Sequence, residues 1–148
     1  MDIHIQLRKI GINGSPLAHN NYPVPVPIHR LNNSNIAKCE GPTGILRASH
    51  AVSQVPKQNE DEYPVYTHRV RRDVEKGTVV GLEIPIWPLG MVFDEGEGLE
   101  VTVSGHDRRL PEMEGLEPKE PLDMNVGKHI LHTGGEQASF LMLPYLIG

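Results

Sequence analysis

The chain is predicted to be all-β, a jelly roll or related β-sandwich built from short strands. Three observations predict it. Fifteen Gly and thirteen Pro are spread along 148 residues, close enough together to interrupt long helices and to favour strands joined by turns. Apolar residues recur at every second position in several short runs, the spacing that puts them on one face of a strand. Finally, the sequence carries no internal repeat, no heptad and no helical period longer than about two turns.

Taken in order, Ile3, Ile5 and Leu7 alternate with His4, Gln6 and Arg8, which predicts a strand with one apolar and one polar face. Gly11-Ile12-Asn13-Gly14 is turn chemistry. Pro recurs at every second position from Tyr22 to Ile28; residues without an N–H cannot sit in a central strand, so an edge or polyproline-like segment is expected. Residues 16–42 are therefore expected to form a long loop. Thr43 to Ser49 predicts a short strand, 54–62 a polar surface loop, and Val65 to Val70 a further strand. Val80, Leu82, Ile84 and Ile86 form the clearest alternation in the chain, and Leu99, Val101 and Val103 repeat it after the turn signal of Asp94 to Gly98. Those two strands are expected to be neighbours. Residues 105–128 have no apolar period and read as a second long loop, of a length often used for binding. The closing run Ser139 to Ile147, SFLMLPYLI, is expected to be a buried strand. The whole chain, 1–148, is read as a single domain.

Composition narrows the function. The 38% hydrophobic and 22% charged content is that of a soluble globular protein. A net charge of −5 and no basic face leave little for a phosphate backbone to hold, so nucleic-acid binding is not expected. The single cysteine, Cys39, forms no internal disulfide and supports no thiolate zinc site. The first ten residues lack the apolar core of a signal peptide, and no apolar run reaches membrane-spanning length. A cytoplasmic protein with no cofactor, no metal and no membrane partner is the expectation.

Two longer blocks carry a resemblance. EIPIWPLGMVFDEGEGLEVTVSGHD (Glu83 to Asp107) and GKHILHTGGEQASFLMLPYLI (Gly127 to Ile147) resemble the C-terminal, non-catalytic, galactose-binding-like jelly-roll domain of the X-Pro dipeptidyl-peptidase and cocaine-esterase serine hydrolases. GILRASHA (Gly44 to Ala51) and YPVYTH (Tyr63 to His68) resemble two further blocks of that family in the same order. MDIHIQLRKI resembles the strand before them, where the family has an acidic residue and then alternating apolar positions. The resemblance implies a jelly roll that packs on an α/β-hydrolase catalytic domain and shapes its substrate pocket. It does not bring the family's chemistry: no G-x-S-x-G elbow occurs, since Ser104 is preceded by Thr102-Val103. Met1 also falls where the family is already inside its jelly roll, so the family's first strands are expected to be lacking. An unpaired edge would follow, covered by a second copy or a hydrolase-type partner.

The expected function is therefore an accessory or interaction domain. The alternative is a small free-standing enzyme, an isomerase, cyclase or lyase, acting on a hydrophobic small molecule. Under that alternative His106, Asp107 and His132 are the candidate catalytic residues, because a histidine oriented by a carboxylate is the usual acid–base unit at neutral pH. Against it stands a structural reading, in which His106 and Asp107 cap a strand and His132 anchors the Gly134-Gly135 turn. Trp87 and Tyr66 are candidate ligand-binding aromatics, set against packing at a core or corner. His129 and His132, three apart in a strand, would face opposite ways and do not suggest a metal. Carbohydrate binding rests on fold analogy alone.

Overall fold

A computed structural model describes residues 1–20, 27, 30, 38–39, 41–107 and 125–145. It is all-β, with an antiparallel sheet and only two short 3-10 turns among the described residues. The strands are β1 (Asp2–Ile10), β2 (Pro16–Leu17), β3 (His19–Asn20), β4 (Lys38–Cys39), β5 (Thr43–Arg47) and β6 (Gly98–Ser104). Leu99 to Val103 thus forms a strand as its alternation predicts, and the strand expected over Thr43 to Ser49 runs from Thr43 to Arg47, with Ala48 and Ser49 entering a 3-10 turn. The 16–42 segment, expected as loop, supplies β2 against β1 and the small β3–β4 ribbon.

β1 is the centre of the main sheet. One edge pairs with β6 over His4 to Ile10, and the other pairs with β5 over Asp2 to Gln6 and with β2 at Lys9 and Ile10. Between those two partners the Leu7 N–H donates to the Pro42 carbonyl at 3.0 Å. Gly41 makes this approach possible: its φ is 127°, and a Cβ there would lie 1.8 Å from the Leu7 carbonyl oxygen. The predicted turns form at Gly11–Gly14 and Asp94–Glu97, closed by backbone hydrogen bonds of 2.8 and 3.1 Å.

The core lies on the odd-numbered face of β1, where Leu7 is buried, as is Leu46, which stands opposite Ile3. Cover is incomplete. Val101 and Val103 of β6 share that face and remain exposed, and Leu7, Leu46 and Ala48 are the only fully buried apolar residues among those described.

Beside this core, buried Asp2 takes a bidentate pair from Arg47, Nε to Oδ1 at 2.6 Å and Nη2 to Oδ2 at 2.8 Å. That hydrogen bond, and then the aspartate charge, raises the Arg47 pKa above its ordinary value. Asn125 closes the same corner, accepting the Asp2 N–H at 2.6 Å and donating to the Asp2 and Gly105 carbonyls. The acidic residue that opens the first strand is thus a structural pin.

Three expectations are corrected. The Val80 to Ile86 segment does not lie beside β6; β1 does, and the segment instead reaches β5 through a single bridge, Gly44 to Ile86. Alternation marks a strand's faces and leaves its neighbour open. Val65 to Val70 makes only the bridge of Tyr66 to Gln54. Most plainly, 139–145 is not a buried strand. It pairs with no strand among the described residues, and Phe140 and Tyr145 are 86% and 80% exposed. An apolar run shows that cover is needed without specifying what supplies it. Residues 108–124 of the second predicted loop, 146–147 of the closing run, and 22–26 and 28 of the Pro-alternating segment lie outside the described residues. No helix among the described residues is long and apolar enough to cross a membrane.

Candidate functional site

The even-numbered face of the sheet carries a cleft of 360 Å³. Its floor follows from register. His4 of β1 stands between Ile45 of β5 and Ser104 of β6, and Gln6 stands between Thr43 and Thr102. Side chains directly opposite across antiparallel strands lie about 4.5–5.5 Å apart at Cβ, so the six residues form two parallel rows. All six line the cleft.

One wall is Trp87-Pro88-Leu89, the other His106 and Asp107, which follow the end of β6. Trp87 is placed by its backbone N–H, which donates to the Thr43 carbonyl at 3.0 Å. Residue 44 allows this approach. A Cβ at Gly44 would lie 2.4 Å from the Pro85 carbonyl oxygen, a separation real Cβ atoms do not show. Tyr63 secures the same stretch, its Oη donating to the Ile86 carbonyl at 3.1 Å. On the opposite wall, the His106 N–H donates to Ser104 Oγ at 3.3 Å, which turns the chain at the strand end. Trp87 is 73% exposed and lines the cleft, so packing in a core is corrected for this residue.

Of the residues expected from sequence, the structure brings together Trp87, His106 and Asp107. It does not bring His132 or Tyr66. The His132 carbonyl accepts the Ser139 N–H at 3.1 Å and its hydroxyl at 2.7 Å, holding an exposed turn away from the cleft. Tyr66 packs over Glu83, its Oη donating to the Glu83 carbonyl at 2.6 Å. Burial, reinforced by the Glu83 charge, pushes its phenol above the ordinary range. The Glu83 carboxylate in turn accepts from Lys57 at 2.8 Å and Gln54 at 2.6 Å, which together hold it below the usual carboxylate range.

His4, Gln6 and Thr102 lie outside the residues the sequence marks for a site, and Ser104 joins them from the polar run that leads into His106 and Asp107. A signal was available: the polar positions of the first strand and those of the 99–103 strand form one surface once the two strands are paired. Chemically the cleft offers imidazole, hydroxyl and amide groups beside one indole, a set that binds and orients and can exchange protons. Among the described residues no group of three or more His, Cys, Asp or Glu is placed to hold a metal ion.

No curated protein and no solved structure matches the chain. The model of one family does, over residues 1–142. The match spans the Asp2–Arg47 pin, every residue lining the cleft and the exposed closing segment as far as Met142. By that match, the chain belongs to the family of the X-Pro dipeptidyl-peptidase C-terminal non-catalytic domain.

Proposed function

We propose that this chain is an accessory interaction module that packs its uncovered apolar surface against an α/β-hydrolase catalytic domain, and that it contributes no serine-hydrolase chemistry. The carrying observation is the closing segment, where Phe140 and Tyr145 stand in solvent at 86% and 80% exposure. Val92, Val126 and Ile130 are exposed to a similar degree. Large apolar side chains left in water to this degree point to an interface, and the non-catalytic family describes a domain that accompanies a peptidase.

Sedimentation velocity tests this, with the chain alone and mixed with a separately purified X-Pro dipeptidyl-peptidase catalytic domain. A one-to-one complex is expected, weakened about tenfold or more by Phe140→Ser with Tyr145→Ser, as loss of central apolar contacts would give. A chain that stays monomeric in the mixture overturns the proposal. Self-association without complex formation replaces the hydrolase partner with a second copy.

A second reading rests on the cleft: a site for a small hydrophobic molecule in which His106 and Asp107 supply acid–base chemistry without His132. Trp87 is the only tryptophan, so its fluorescence reports the cleft directly. A saturable change with small aromatic alcohols, lost in Ser104→Arg, supports this reading. A flat titration removes it.

A further inference from the structure

A second histidine pair lies outside the cleft. His50 sits in the 3-10 turn Ala48–Ser53, and His68 follows the bridge between Gln54 and Tyr66. Their Nδ1 atoms are 3.1 Å apart, with ring centroids at 5.3 Å and planes inclined by 60°. One buried residue holds both. Ser53 Oγ donates to the His50 carbonyl at 2.7 Å and accepts the His68 N–H at 3.2 Å, while the Ser53 carbonyl accepts the Thr67 N–H at 3.0 Å. Within this clamp His68 has φ 54°, the single positive value at a non-glycine among the described residues. A side chain with a Cβ rarely adopts that conformation, and it persists where surrounding bonds enforce it. Here the enforced conformation delivers one imidazole nitrogen to another.

Two nitrogens at this spacing suit a single metal ion. With metal–nitrogen bonds of about 2.0–2.1 Å, two ligands are separated by roughly 2.8 Å in a square-planar arrangement and roughly 3.4 Å in a tetrahedral one. The observed 3.1 Å falls between them. The contact now needs one shared proton, since two protonated Nδ1 atoms would repel; an ion about 2.0–2.1 Å from both nitrogens, beside the line that joins them, would take up both lone pairs once the rings turn toward it. We propose that His50 and His68 chelate a divalent transition metal through their Nδ1 atoms, with water completing the coordination. Imidazole ligands and the general affinity order favour copper(II) over nickel(II) and zinc(II). Two protein ligands leave the ion with open positions.

Copper(II) sulfate titrated into the metal-free chain, followed by calorimetry and electron paramagnetic resonance, tests the site. One ion per chain is expected, with hyperfine structure from two imidazole nitrogens. His50→Gln and His68→Gly should each weaken binding by about tenfold or more, whereas His129→Gln with His132→Gln should leave it unchanged. The glycine variant suits the positive φ, so its circular dichroism should match the parent, separating loss of a ligand from loss of fold. Binding that is absent, or undiminished in both His50→Gln and His68→Gly, overturns the proposal.

Discussion

Gly44 shows how one missing side chain can set a site. The 84–87 stretch crosses β5 so closely that any Cβ at residue 44 would meet the Pro85 carbonyl, and Trp87 is hung from Thr43 immediately beside it. Gly44→Ala should force the two segments apart, at a cost of about 1–3 kcal/mol typical of overpacking. Because Trp87 moves with its segment, its emission should shift in the same variant. A Gly44→Ala protein with parent stability and an unchanged spectrum would remove this account. Asp2 is the polar counterpart. Replacing it by Ala would strand Arg47, whose side chain is one-third exposed, so the loss should fall below the 3–5 kcal/mol of a fully buried pair, at about 2 kcal/mol. Urea denaturation would measure it.

Charged pairs between segments give the fold a pH dependence with a definite sign. Lys57 and Gln54 hold Glu83 below the usual carboxylate range, and Lys9 with the Asp94 amide does the same for Glu97. A carboxylate whose folded pKa is lowered adds stability that is present above its ordinary value of about 4.3 and is lost as pH falls through the folded value. Stability should therefore decline on the acid side of that value. Glu83 is half-exposed, so its effect should be small, whereas the Lys9–Glu97 pair is largely covered and is screened less. Comparing urea midpoints across that range, Glu83→Gln should flatten the acid limb relative to the parent; an equally steep limb would show that Glu83 is not linked to folding.

The strands also show how much of the fold is legible in the sequence. Alternation locates Ile3 to Leu7 and Leu99 to Val103, and glycine chemistry locates the turns, because both signals are local. Pairing is not legible. Val80 to Ile86 has the same period as β6, yet β1 lies beside β6 because register depends on which faces can be buried together. The site is half legible for the same reason. His106 and Asp107 follow a strand end and Trp87 follows the 80–86 alternation, where sequence marks them, whereas His4 and Ser104 become neighbours only through a pairing across one hundred residues.

Among the described residues, the molecule has a cleft of mixed polar and apolar lining on one face of its sheet and a thin core on the other, with the apolar closing segment uncovered. Few buried apolar residues among those described mean little hydrophobic free energy from this part of the chain alone, since that contribution scales with apolar area removed from water. The isolated chain should unfold at low temperature and over a broad range, and a partner that covers the closing segment should stabilise it by mass action. At a free partner concentration one hundred times Kd the gain is about 2.7 kcal/mol, equivalent to roughly 5–10 °C in Tm for a chain of this size. Scanning calorimetry of the chain with increasing catalytic domain would show the rise. Phe140→Ser with Tyr145→Ser, weakening the complex about tenfold or more, should cut the rise to about half or less while leaving the Tm of the free chain nearly unchanged, because those side chains already stand in water. A large fall in the free-chain Tm would instead mean that the closing segment is packed within its own chain in solution, and the interface would have to lie elsewhere.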